Sequence, residues 1–362
     1  MSAIQEKKEI SIREAREMVK GLMKPNPFIY WVDFLFHVVL GWCSFCFCYK
    51  ADFFSPIQWA LFFVSIFSFY RAAIFIHEIT HLRKGTFYLF RVVWNLLCGF
   101  PLMIPSFLYQ GIHNDHHNVK LYGTKGDGEY FPFVHEGRSK IILFALASFF
   151  VPVLFFVRFV LLTPLSYCNK SLRRLVLKKI SSFSIDPNYK RTRSSLNAVD
   201  MWQAQEIATC LYGWFFILLM LEGVLPYKIF GLWLIAFGLV FFINSLRTLA
   251  AHCYRYSGDE VLGISEQLLD SVNIPNSFLG VLWAPVGLRF HATHHLIPEM
   301  PYHSLGETHQ RLREQFSKKN LYLQSSSSGL LSTLARLWRE SGNLAFFVLL
   351  VEYFLCYYAK AL

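Results

Sequence analysis

Long apolar blocks separated by short polar breaks set the plan of this chain. Residues 28–48 and 57–79 are each long enough to cross the roughly 30 Å hydrocarbon layer of a bilayer as a helix. The break around Asp52–Pro56 makes them a hairpin. Residues 207–226 and 229–251 form a second hairpin through Pro226-Tyr-Lys228. Between the two hairpins lie apolar stretches interrupted by proline: residues 88–110 hold Pro101 and Pro105, and residues 141–165 hold Pro152 together with Arg158. Both read as re-entrant or interfacial, with the backbone groups freed by proline satisfied against protein. Residues 1–20 mix acidic and basic side chains with sparse apolar ones, the mark of an amphipathic helix, and Pro25 and Pro27 stop it. Near the other end, Ser325–Ser328 reads as a polar linker before a short amphipathic helix and an apolar stretch, residues 344–358. That stretch is marginal in length for a crossing and reads as membrane-associated.

The pattern predicts an all-α integral membrane protein with four transmembrane helices in two hairpins, re-entrant or interfacial helices, and a cytoplasmic cap. Residues 1–27 would form a cytoplasmic amphipathic segment, 28–315 the membrane domain, and 316–362 the linker and C-terminal membrane-associated helices.

Composition agrees. Hydrophobic residues make up 54% of the 362 and charged residues only 16%, too apolar for an ordinary soluble protein. The excess of Lys and Arg over Asp and Glu, 35 − 24 = 11, gathers in one loop holding Lys170, Arg173, Arg174, Lys178, Lys179, Lys190, Arg191 and Arg193. The positive-inside preference places that loop in the cytoplasm, against anionic lipid headgroups. No soluble basic domain with interleaved aromatics is present, so a nucleic-acid partner is not expected. Of the eight cysteines, Cys43, Cys46 and Cys48 lie inside an apolar run, where thiols pack as small hydrophobes, and no disulfide framework emerges.

The chemistry lies in the histidines. His77-Glu-Ile-Thr-His81 is followed by His113-Asn-Asp-His116-His117 and by His291-Ala-Thr-His294-His295. On a helix, positions i, i+3 and i+4 share a face, so each box aims its imidazoles at one place. Neutral imidazoles in such number suit a transition metal. Eight are more than one tetrahedral zinc can use, so two metal ions are the economical reading. His252, at the end of the fourth span, is a ninth candidate ligand. All these positions fall where the chain leaves the membrane on one side. A full crossing by residues 88–110 would set the first two boxes about 30 Å apart, which a shared site forbids.

Ligand type alone does not name the metal. Position does: a metal pair at the base of an apolar bundle is placed to receive a hydrocarbon chain, and oxidising an unactivated methylene needs a redox metal and dioxygen. Iron fits. Asp127 and Glu129 are candidates to accept the second N–H of bound imidazoles. Asp33 and His37, one turn apart in the first span, are expected to pair, and His303 and His309 to serve packing and hydrogen bonding.

The set HEITH, HNDHH and HATHH, in this order and with these hairpins, resembles the membrane fatty acid desaturase family and its hydroxylase relatives over about residues 30 to 315. The resemblance implies that His77, His81, His113, His116, His117, His291, His294 and His295 bind two irons. It matches His252 to an additional histidine that several members supply after their last span. Some members carry Asn four residues before that histidine; here Thr248 stands there, with Asn244 two turns before His252. The third box begins with His291 rather than Gln, unlike the front-end desaturases. No fused cytochrome b5 segment with its HPGG motif is present, which implies electrons from a separate ferredoxin or cytochrome b5-type carrier. The implied activity is O2-dependent desaturation of a long acyl chain, lipid- or thioester-linked, at the cytoplasmic face of a membrane, with a lean toward a bacterial inner membrane.

A diiron hydroxylase or ketolase on the same scaffold is the nearest alternative. His77-Glu78-x-x-His81 also spells the zinc-protease HExxH, in which Glu78 would activate water, but that leaves both HxxHH boxes without a purpose. A metal transporter would stack ionisable residues through the spans instead of gathering them at one face.

Overall fold

A computed structural model of the chain describes residues 11–83, 85–277, 279–317 and 320–342. The expected first half of the N-terminal helix (residues 1–10) and the apolar 344–358 stretch lie outside the described residues. Among the described residues every regular element is helical, with only isolated bridge pairs such as His252 with Ser271.

Proline and small polar residues set the helix starts. Asn26 caps the Pro27–Lys50 helix, its side chain accepting from Phe28 N at 3.0 Å, and Ser55 caps Pro56–His81. Pro27 and Pro56 sit in the first turn, where a missing N–H costs nothing. The second hairpin is Trp202–Leu221 followed by Tyr227–Ala251. The turns of the two hairpins meet at one end of the bundle, where Lys228 Nζ lies 5.7 Å from the Tyr49 ring and 5.5 Å from that of Phe53. The opposite ends of Pro56–His81 and Tyr227–Ala251 carry His81 and His252.

Among the described residues, five helices are long and apolar enough to cross a membrane, one more than the sequence pattern predicts. The extra one is Val151–Cys168. The 141–165 stretch does break, but at Phe149–Phe150, after a separate Arg138–Ser148 helix. Pro152 falls in the first turn of the next helix, where it is tolerated, and a π-turn at Arg158–Leu162 absorbs the irregularity before Pro164. Both flanks of this segment pack at the histidine end. Arg138 Nε donates to Trp338 O at 2.9 Å, and Arg173 reaches Glu206, next to Gln205, which contacts Ser106 and Phe107 just ahead of the second box.

Residues 88–110 enter the bundle and double back. Trp233 Nε1 donates to Pro101 O at 3.2 Å, deep in the bundle, while Asn95 and Ser106, eleven residues apart, hydrogen-bond to each other. The expected Asp33–His37 pair forms, with His37 Nδ1 3.0 Å from Asp33 Oδ1, but its main partner comes from the second helix: Arg71 grips Asp33 at 2.7 and 2.6 Å.

The cap packs over the histidine end. Ala15 and Val19 of the Ile12–Val19 helix are buried against Leu296, Ile297, Leu305 and Leu312. The start of the Ser325–Ser328 segment is not a free linker: Ser325 is 3% exposed, its carbonyl accepts from Asn273 N at 2.7 Å, and Ser327 N donates back to Asn273 O at 2.8 Å. Short polar side chains that suit a linker equally suit a buried turn whose backbone is bonded on both sides.

Candidate metal centre

Three short helical pieces and one helix end carry the histidines. His77 and His81 lie on the last turn of Pro56–His81, their ring centroids 4.9 Å apart. The second box sits on Ile112–His116, with His117 as its C-cap, and the third on His291–Leu296. The approach to the second box is pinned by Arg191, 3% exposed, whose guanidinium donates to the carbonyls of Phe107, Gln110 and Ser181. Gly111 makes the turn into that helix at φ 88, a left-handed conformation that favours glycine. Beneath the third box, Thr293 points away from the other residues of the box. Its N and Oγ1 donate to Asn273 Oδ1 at 3.0 and 3.2 Å, and Oγ1 lies 2.6 Å from the Tyr322 hydroxyl.

The nine histidines form two groups: His77, His81, His113, His117 and His294 in one, and His116, His252, His291 and His295 in the other. Within each group one nitrogen from every ring lies within 4.8 Å of the others. Both HxxHH boxes split the same way, because positions i and i+4 are about 40° apart around a helix while i+3 points to the other side of i. Each group therefore draws two nitrogens from one box and one from the other.

The separations are of the order found between ligands of one ion. His294 Nε2 is 3.0 Å from His117 Nε2, which is 3.2 Å from His113 Nε2. In the second group His252 Nε2 is 3.2 Å from His116 Nε2 and 2.8 Å from His291 Nε2, and the latter is 3.1 Å from His295 Nε2. Two nitrogens each about 2.1 Å from one ion are about 3.0 Å apart at a right angle and about 3.4 Å apart at a tetrahedral angle. All but the 2.8 Å spacing fall at or between these two values, and a group of five offers more ligands than one tetrahedral zinc takes.

Several of these nitrogens find no partner within the protein. Both ring nitrogens of His77 and Nε2 of His81 are buried without a hydrogen-bond partner. Burial holds His113, His117, His252, His291, His294 and His295 well below the ordinary histidine pKa, so these rings stay neutral with a lone pair to give. His116 is the exception. Burial works against its charge, but the carboxylates of Asp127, Glu129 and Asp270 outweigh it and raise its pKa.

Carboxylates stand behind the rings. Asp127 Oδ2 is 2.8 Å from His116 Nδ1 and Glu129 Oε1 is 3.0 Å from His113 Nδ1, the two positions the sequence singled out. Burial lifts Glu129 to about 7. Tyr109 stacks on His113, and its hydroxyl bridges His113 Nδ1 and Glu129 at 2.9 and 3.2 Å. The sequence reading missed the support of His252. Tyr122 Oη lies 2.9 Å from His252 Nδ1 and donates to Asp270 Oδ2 at 2.9 Å; burial raises Asp270 to about 6. His303 and His309 lie outside both groups, His303 Nε2 accepting from Asn26 N at 3.1 Å and His309 Nδ1 standing 2.7 Å from the Tyr322 hydroxyl.

One Glu78 oxygen lies 3.5 Å from His77 Nδ1, and the other is turned away from the histidine groups. The latter accepts from the Tyr30 hydroxyl and from Tyr302 N. With five histidines converging beside it, the protease reading of His77-Glu-x-x-His81 finds no support.

Residues 54–327 match the family model described as "Fatty acid desaturase". The chain is also 38% identical, over 330 residues, to a protein named "Ceramide hydroxylase" from Caulobacter vibrioides (strain NA1000 / CB15N), covering 91% of this chain and 93% of that protein. No solved structure matches.

Proposed function

We propose, from the fact that the chain belongs to the fatty acid desaturase family, that it is a dioxygen-dependent lipid hydroxylase of the membrane. It would insert oxygen into a long acyl chain carried by an amide-linked lipid of the ceramide type. The observation that carries this reading is the convergence of nine histidines in two groups at the mouth of an apolar bundle. The choice of hydroxylation over desaturation follows the ceramide hydroxylase relative, whose similarity spans nearly the whole chain.

In this reading His77, His81, His113, His117 and His294 hold one iron, and His116, His252, His291 and His295 hold the other. Iron bound there supplies the dioxygen chemistry that no side chain can. Asp127, Glu129 and the Tyr122–Asp270 pair fix ring orientation through the far nitrogens, as outer partners of metal-binding histidines do. The lipid chain enters beside His81, where a cavity of about 270 Å³ is bounded by Leu82, Phe87, Met300 and Pro301. On the polar side His117 and His295 line a smaller cavity of about 110 Å³ with Arg16 and Gln267, the approach for electrons from a separate ferredoxin or cytochrome b5-type carrier. The histidine end faces the cytoplasm, because the Lys170–Lys179 basic helix and its loop lie at that end.

The test is product analysis. The purified, iron-loaded chain is given ceramide-type lipid, dioxygen and a reduced carrier, and the lipids are examined by mass spectrometry. Gain of one oxygen atom supports the proposal. Loss of two hydrogens without oxygen would make the protein a desaturase, and an unaltered lipid would remove both readings.

A further inference from the structure

Among the described residues, several charges of the long helices are held by two or more strong partners, and the partly buried Arg247 is held less well. Arg71 holds Asp33 through two hydrogen bonds, Arg158 holds Glu206 at 2.5 Å, and Glu78 accepts from Tyr30 and Tyr302. Arg247, on Tyr227–Ala251, has no carboxylate partner among the described residues. Its Nη2 donates to the neutral Asn244 side chain at 3.0 Å, and its Nε is buried with no partner at all. An ionised side chain left this way inside a membrane bundle is costly and is by default a sign of use.

Its position says what use. Arg247 lies five residues before His252, about 7.5 Å down the helix axis from the metal centre on the bundle side. Its charge is felt at His252 and His291 and, across the site, at Tyr109 and Glu129. Asn244, one turn further in, lies 3.5 Å from the hydroxyl of Tyr70, which also donates to Trp283 O at 3.0 Å. Tyr70 is 1% exposed on the facing Pro56–His81 helix. A guanidinium, an amide and a phenol thus meet between the two helices that end in His81 and His252. A cation there cannot be a ligand for another cation, and a bare hydrocarbon chain has nothing to offer it. What it can take is an oxygen with lone pairs.

We propose that Arg247, with Asn244 and Tyr70, forms a polar subsite on the bundle side of the metal centre. The subsite holds a hydrogen-bond-accepting oxygen of the substrate, an amide carbonyl or a hydroxyl, within a few bonds of the carbon presented to the metal centre. This rests on the lipid-oxidising reading above and sharpens it: the enzyme selects lipids bearing an oxygen function near the attacked carbon, and that oxygen sets how far the chain advances.

The experiment compares three probes on the full-length, iron-loaded protein in detergent: a ceramide, an N-alkyl amide of the same chain length without hydroxyls, and a straight alkane of that length. Affinities are read by thermal-shift titration, with metal content measured alongside. The wild type should prefer both amides to the alkane. Arg247→Met should lose that preference by roughly tenfold to a hundredfold, the range of one hydrogen bond to a charged group, with alkane affinity and metal content unchanged; Arg247→Lys should keep part of it. A ceramide preference that falls while that for the plain amide stays assigns the hydroxyl as the bound oxygen; loss for both assigns the carbonyl. Should Arg247→Met not fold, Arg247→Gln takes its place with the same expectation. Retained preference for both the ceramide and the plain amide in the neutral variant, or equal loss for both and for the alkane, overturns the subsite. If the wild type itself oxidises no lipid, the functional reading fails; if it oxidises lipid and the neutral variant keeps its preference, only the subsite fails.

Discussion

His116 and His117 are neighbours in the chain and stand in different histidine groups: His116 Nε2 lies 3.2 Å from His252 Nε2, and His117 Nε2 lies 3.0 Å from His294 Nε2. Adjacent residues on a helix point about 100° apart, so a box at the join between two ion sites serves both. Removing either ring should therefore empty a different site. His116→Ala and His117→Ala are each expected to lose about one ion per chain, as read by elemental analysis, and to lose product formation while still inserting in the membrane. Normal metal content with full turnover in either variant would remove the assignment of that ring.

Asp127 carries a different burden, since one of its oxygens lies 2.8 Å from His116 Nδ1 and also accepts from Gly123 N at 3.0 Å. Asp127→Asn keeps the shape of the side chain and removes the charge that orients the ring. Outer partners of this kind typically change metal affinity by about 10- to 100-fold. Chelator competition should show that loss. Unfolding temperature, followed in parallel, should fall less than for the bulkier Asp127→Leu, and chelator resistance equal to wild type would reduce Asp127 to a loop-forming residue.

Much of this arrangement is legible in the sequence because it is local. The two hairpins follow from apolar block length, and the boxes from spacing within one helical turn. What long-range packing decides is not legible. Arg71 meets Asp33 across 38 residues, and Asp270 reaches His252 directly at 3.7 Å and through Tyr122, which lies 148 residues from Asp270. Arg191 looks like one more basic-loop residue until its guanidinium is seen closing three carbonyls. Pro152 misleads for a physical reason: proline breaks a helix interior but is welcome in a first turn, and the sequence does not say where the turn begins. The division of the boxes between two groups needs the facing boxes in place, and so does the choice between inserting oxygen and removing a second hydrogen.

The Glu206 network offers a stability test away from the metal centre. Glu206 is fully buried and receives both Arg158 and Arg173, with Arg158 buried as well. Glu206→Gln leaves two guanidinium groups without a counter-charge, and breaking a buried pair in this way costs about 3–5 kcal/mol. Arg158→Met leaves Glu206 still held by Arg173 at 2.6 Å and should cost clearly less. Thermal unfolding in detergent distinguishes them, and equal shifts in the two variants would show that the network does not bind its charges together.

Sidedness ties the chemistry to its reductant. The turns of both hairpins lie at the end opposite the histidines, joined by Lys228 over Tyr49 and Phe53, and Val224 in the second turn is 69% exposed. The exposed Ser171 begins the basic Lys170–Lys179 helix, whose Arg173 binds Glu206 at the histidine end. Positive charge is retained in the cytoplasm, where reduced electron carriers are found. With the native exposed cysteines replaced, Val224→Cys should react with a membrane-impermeant thiol reagent added outside intact cells. Ser171→Cys should react only after lysis. Labelling of Ser171→Cys from outside would turn the histidine end toward the external compartment and cut the proposed centre off from its electrons, whatever its geometry.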